Sequence, residues 1–174
     1  MGLGARYSEL IDQYKIMHNT PSMFDGKSLP VHGESISELI SELGIETVMD
    51  YGCGKGNWHE EMEEMWEIPP ITPYDPAFAP FSTKPHGKFD LVICTDVLEH
   101  CDKQDLPWIV DEICDYSTKA VYLAAASYPA AKTLPNGENA HCTIEPIEWW
   151  SDLFRTAQLN HPNIVLKCTV SRLK

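Results

Sequence analysis

An α/β fold, a mostly parallel sheet with helices on both faces, is what this chain predicts, and three observations carry it. Short apolar runs alternate along the chain with segments of helical spacing, the order that builds strand–helix–strand units. Two of those runs, "FDLVICTD" and "AVYLAAAS", have unbroken apolar centres, the mark of strands covered on both faces. With 174 residues, 43% of them hydrophobic, the chain suits one domain around a sizeable core.

Taken in order, Tyr7, Leu10, Ile11, Tyr14 and Met17 fall on one helical stripe, and Ile36, Leu39, Ile40 and Leu43 on a second. Gly44 then stands where a helix-ending glycine belongs. The segment between them, His18 to Ser35, is rich in Gly, Pro and Ser but carries Met23, Phe24 and Leu29; it reads equally as a plain connection or as a lid. "TVMDY" is a short buried strand. Trp58, Met62, Met65 and Trp66 then make an apolar stripe, with Glu60, Glu61, Glu63, Glu64 and Glu67 facing water. "ITPYD" and "FDLVICTD" are the next strands, and Leu106, Ile109, Val110 and Ile113 mark a helix that begins after Asp102. "AVYLAAAS" follows, then a helix from about Pro146 with Trp150, Leu153, Phe154 and Ala157, then a last strand in "NIVLKCTVSRL". The stretch Ser127 to Glu145 is long for a loop in a compact domain, which itself points to function.

Charge and cysteine usage exclude several classes. The net charge is −13, from 26 acids against 13 Lys and Arg, with no basic cluster, so nucleic acid is not an expected partner. No apolar run is long enough to span a bilayer, and the first residues lack an apolar signal core. Gly2 is not followed by a myristoylation pattern, since Arg6 stands where Ser or Thr is needed. A soluble, cytoplasmic protein without a membrane partner is expected. The six cysteines form no CxxC pair, so neither a zinc site nor a disulfide framework is expected.

In a parallel α/β sheet, ligands bind beyond the carboxyl ends of the strands. Four segments fall there: Gly52 to Gly56, Asp75, Asp96 to His100, and the loop after Ser127. The glycine loop "DYGCGKG" is not a nucleotide-triphosphate loop, because Lys55 follows Gly54 with no Ser or Thr after it. It is not a dinucleotide fingerprint either, because Asn57 occupies the place of the third glycine. Asp75, after the second strand, suits the ribose of any adenosine ligand.

"DYGCGKG", then "PYDPAF", then "FDLVICTDVLEH", in that order and spacing, resemble the class I S-adenosylmethionine (SAM)-dependent methyltransferases of small-molecule type. The resemblance runs from about Thr47 onward. It implies a Rossmann-like fold, SAM as cofactor, S-adenosyl-L-homocysteine as product and a small-molecule acceptor. On this chain the cofactor would be held by Asp50, Gly52, Gly54, Gly56, Asp75, Pro76, Asp96 and Val97. SAM carries no phosphate; its sulfonium and amino-acid tail suit glycines that bare the backbone and acids near a cation. "NAHCTIEPIEWW" resembles the His-then-Trp lead into the next helix of the family. "DPAF" is also similar to the [DNS]PP[YF] motif of amino-group DNA methyltransferases, but it has Ala77 in the third position and follows the wrong strand.

Only 13 residues separate Asp75 from Phe89, too few for the usual helix and third strand. A trimmed sheet of about five or six strands is expected, with Phe78, Phe81 or residues just before Asp96 holding adenine instead. Residues 1–174 are expected to be one SAM-binding domain, with 1–44 as a helical N-terminal cap. Methyl transfer needs alignment, and for a hydroxyl or amine acceptor a base. His100 and His141 are the candidate catalytic histidines; His18 and His32 lie near the cap, and His59, His86 and His161 read as surface residues. Beside His100, Glu99 has no further ligand evident in the sequence, so no metal is expected. His141 reads equally as a base or as an anchor against Trp149 or Trp150, and Asn139 as a contact for substrate. SAM cleavage on the same fold and a non-catalytic partner are the competing functions.

Overall fold

The structure, a computed structural model, describes residues 5–20 and 28–172. Five strands form one sheet: β1 (Val48–Tyr51), β2 (Thr72–Tyr74), β3 (Phe89–Thr95), β4 (Ser117–Ala126) and β5 (Val165–Ser171), in the order β2-β1-β3-β4-β5. Every pairing is parallel, so the sheet is parallel throughout. Among the described residues five α-helices accompany it: α1 (Ala5–His18), α2 (Leu29–Leu43), α3 (His59–Trp66), α4 (Leu106–Asp115) and α5 (Ile147–Asn160).

Side-chain alternation divides the core between two faces. Leu91 and Ile93 of β3 and Ala120, Tyr122 and Ala124 of β4 meet Ile36, Leu39 and Ile40 of α2 and Met62 and Trp66 of α3. Their neighbours Val92, Cys94, Val121, Leu123 and Ala125 meet Leu106, Ile109, Val110 and Ile113 of α4 and Trp150, Phe154 and Ala157 of α5. Both faces of β3 and β4 are therefore buried over "LVIC" and "AVYLAAA", which is why those stretches do not alternate with charged residues. α1 touches the α4 layer through Tyr7, which meets Trp108, but most of it lies beyond both layers. Its Leu10, Tyr14 and Met17 pack with Ala77, Leu134 and Ala140, residues that follow β2 and β4 at the carboxyl edge of the sheet.

Between Tyr74 and Phe89 there is no strand and only a single 3₁₀ turn, Ala79–Phe81, so β3 pairs directly with β1. The trimmed sheet has five strands, as the short spacing requires.

Three expectations are corrected. α2 begins at Leu29, so the second half of the Gly/Pro-rich segment is helix; Met23 and Phe24 lie outside the described residues. Pro30 sits in the first turn, where its missing N–H costs nothing. A Cβ on Gly33 would lie 3.3 Å from the Met62 sulfur, so glycine gives room for α3 to pack there, and the Trp66 Nε1–H donates to Gly33 O at 3.0 Å. Met65 leaves the buried stripe and is 56% exposed, at the rim of the α2–α3 contact beside Gly33. His59 is not a surface residue, as described below. Among the described residues no helix is long and apolar enough to cross a membrane.

Candidate functional site

The turn after β1 is made by left-handed backbone at Gly52 (φ 83°), Gly54 (φ 58°) and Gly56 (φ 63°). The Gly52 N–H donates to Tyr74 O at 2.7 Å, and the Cys53 N–H donates to the same oxygen at 3.2 Å, which ties the loop to the end of β2. A Cβ on Gly52 would lie 2.5 Å from a methyl of Val97, and one on Gly56 would lie 3.0 Å from His59 Nδ1. Both positions therefore need glycine for space as well as for φ.

Asp75 is buried beneath this turn. Its Oδ2 accepts the Gly54 N–H at 2.9 Å and its Oδ1 accepts the Ala77 N–H at 2.8 Å. A carboxylate has about four acceptor positions, more than these amides use, so the group can still accept a hydroxyl. Burial pushes its carboxyl up to about 6, against the pull of those amides. His18, at the end of α1, brings Nε2 to 3.8 Å from Asp75, and burial pushes it down to about 4, so it stands there as a neutral imidazole at neutral pH. At the end of β1, Asp50 Oδ2 lies 2.8 Å from His59 Nε2, and both side chains are nearly covered. The histidine that opens α3 is thus folded back onto the glycine loop.

On the other side of the pocket the chain leaves β3 through Asp96, a non-glycine residue at φ 54°. Such strain persists where the surroundings dictate it. Burial raises the Asp96 carboxyl. A 3₁₀ turn, Leu98–His100, follows and directs Glu99 inward. Glu99 is fully buried, its Oε1 accepting the Ala126 N–H at 3.1 Å, and burial pushes its carboxyl up to about 8. His100 Nδ1 lies 2.8 Å from Ala140 O, and burial with the neighbouring His141 pushes this imidazole down to about 4. His141 brings its ring to 4.8 Å from that of His100, edge to face, and its Nδ1 hydrogen-bonds Tyr128 O. Its ring contacts are therefore His100 and Tyr128, not Trp149 or Trp150. Asn139 is committed to its own loop: Oδ1 accepts the Ala130 and His141 N–H groups, and Nδ2 donates to Ala130 O.

These groups surround a pocket of about 330 Å³ at the carboxyl edge of the sheet. Asp50, Gly52, Gly54, Gly56, Asp75, Pro76, Asp96, Val97 and His100 all line it, while His141 stands behind His100. Phe78 and Phe81 do not line it; Thr95, just before Asp96, does. α1 closes one side with Tyr7, Leu10, Ile11, Tyr14 and His18. It is tied to the long loop by Tyr14 OH, which donates to Ala140 O at 2.7 Å, and by Gln13 Oε1, which accepts the Asn136 N–H at 3.0 Å. Sequence reasoning missed the Asp50–His59 pair, the part Tyr14 plays in closing the pocket, and the approach of His141 Nε2 to 4.0 Å from Glu99 Oε1. For His59 a signal was present, since a histidine three residues after a Gly-rich turn and opposite a strand-end acid lies within reach of it. Nothing in the sequence spacing announced the others.

A parallel α/β sheet with a glycine loop and an acid at its carboxyl edge defines a class of adenosine-binding enzyme folds. The chain belongs to a family described as methyltransferase domain, whose match extends over residues 12–163. That span takes in β1 to β4, together with the whole glycine loop, Asp75, Asp96 to His100 and His141, and stops short of β5. No curated protein and no solved structure matches the chain.

Proposed function

We propose that this protein transfers a methyl group from SAM to a small-molecule acceptor. The observation that supports this best is the division of one pocket: a glycine loop and Asp75 at one wall, and Asp96, Val97 and His100 at the other. In this reading the bare backbone at Gly52, Gly54 and Gly56 takes the amino-acid tail, with Asp50 and Asp96 supplying negative charge near the sulfonium. Asp75 accepts the ribose hydroxyls with its remaining lone pairs. Adenine packs beside Thr95, Asp96 and Val97, because the third strand that would hold it is missing. His100 and His141 serve the acceptor. The chain's chief contribution is alignment and exclusion of water, and α1 contributes the cover on one side.

A small acceptor is favoured by a pocket at the lower end of the range for small-molecule sites. The net charge of −13 disfavours a polyanion. The test is incubation with methyl-labelled SAM and a mixture of cell metabolites. Label in a new compound, with S-adenosylhomocysteine formed in equal amount, is the expected result. Methylthioadenosine as the nucleoside product would mean cleavage instead, and absence of SAM binding by calorimetry would sink the reading altogether.

A further inference from the structure

We propose that Glu99, His100 and His141 form a binding site for one divalent transition-metal cation of the class that accepts imidazole and carboxylate together, such as Zn²⁺, Co²⁺, Mn²⁺ or Fe²⁺. One ligand atom from each of the three side chains lies within 4.8 Å of the other two. The sequence offered Glu99 and His100 as neighbours; the fold adds His141 from the far end of the loop after β4.

The state of each side chain points to a ligand. Glu99 is 0% exposed, and its Oε2 has no hydrogen-bond partner in the structure. A buried carboxyl oxygen left open is costly unless a donor or a cation meets it. His141 Nε2 stands 4.0 Å from Glu99 Oε1, beyond hydrogen-bond range but on the scale of two ligands around one ion. Both imidazoles are held from behind by main-chain carbonyls, His100 Nδ1 by Ala140 O at 2.8 Å and His141 Nδ1 by Tyr128 O. A carbonyl only accepts, so each Nδ1 carries the hydrogen and each lone pair sits on Nε2. Orientation of Nδ1–H by a backbone carbonyl is how metal-binding imidazoles are commonly fixed. Asp96 adds negative charge near Glu99 and His141.

Ligands at about 2.1 Å from a tetrahedral ion are about 3.4 Å apart, so small side-chain rotations must draw the three groups together on binding. Three protein ligands leave at least one position for water or an acceptor oxygen, the pattern of catalytic rather than structural ions. His100 also lines the pocket, which places the ion beside the acceptor wall. The proposal does not rest on methyl transfer, and its test reads binding alone.

The experiment is titration of chelator-treated protein with Co²⁺, followed by visible absorption, and with Zn²⁺, followed by calorimetry. One ion per chain is expected, with Zn²⁺ raising the thermal midpoint. Glu99→Gln and His141→Ala should each weaken binding by more than the ~10–100-fold that loss of an outer partner costs. His86→Ala, at an exposed histidine outside the site, should leave binding unchanged. Glu99→Gln keeps the shape of the side chain and its acceptor for the Ala126 N–H, so it decides the matter if His141→Ala fails to fold. Absence of binding to the unaltered protein, or equal binding in Glu99→Gln, overturns the site.

Discussion

The two halves of the pocket are built by different means. On the β1–β2 side the work is done by backbone: three left-handed glycines, and amides that reach Asp75 and Tyr74 across about 20 residues of chain. On the β3–β4 side it is done by side chains from distant segments. Glu99 meets Ala126 across 27 residues, His100 meets Ala140 across 40, and Tyr14 meets Ala140 across 126. A site made of backbone tolerates almost no change of residue type, because a missing Cβ is its working part. A site made of side chains can change its chemistry without changing its turn. The first suits a ligand that stays the same, the second one that differs between enzymes, which agrees with the proposed split between cofactor and acceptor.

Breaking the backbone half should have the largest effect. Gly52→Ala puts a methyl 2.5 Å from Val97 and forces alanine to φ 83°. A loss of roughly 2–4 kcal/mol of stability is expected, from overpacking and backbone strain together, with loss of SAM binding. Val97→Ala in the same chain should return the steric part and leave the strain, as urea denaturation of both variants will measure.

The side-chain half should break differently. His141→Ala is expected to lower turnover by roughly 10²-fold or more, the scale of lost acid–base or positioning help, with affinity for SAM nearly unchanged. Equal loss of both in steady-state kinetics and calorimetry would erase the distinction between the halves.

Asp75→Asn sharpens the comparison, because it removes charge while keeping the shape of the group beneath the glycine loop. SAM affinity should fall by about 1.5–3 kcal/mol, as for loss of a charged acceptor. Asp75 also receives two loop amides, so a modest drop in thermal midpoint should accompany it, which an acid free at a strand end would not produce.

The smallest effect concerns pH. The Asp75 carboxyl is pushed up to about 6, and hydroxyl recognition prefers its ionised form. Above pH 6 the free protein already has the acid ionised, and affinity is full. Below pH 6 a proton must leave on binding, so the dissociation constant for SAM should rise, by at most about tenfold per unit of pH. Asp75→Asn should flatten that limb of the profile.

How far the molecule was legible follows the same division. The strands of the central sheet were readable because burial on both faces leaves no polar positions in "LVIC" or "AVYLAAA". The missing third strand was readable from length alone. The start of α2 was not, because Pro30 and Gly33 look like breakers until the first turn and the close packing of Met62 explain them. His59 looked like a surface residue because nothing in its own helix shows that Asp50 lies 2.8 Å away.

The sequence by itself determined the order of strands and helices, the glycine turn and the acid after β2. These depend on local spacing, and local spacing is written along the chain. Only the tertiary structure decided that His141 stands against His100 and Glu99, that α1 closes the pocket through Tyr14, and that Asn139 holds its own loop rather than a substrate. Those contacts arise where a parallel sheet brings every strand's carboxyl end to one edge. Residues there become neighbours through topology, at separations that no periodicity in the sequence encodes.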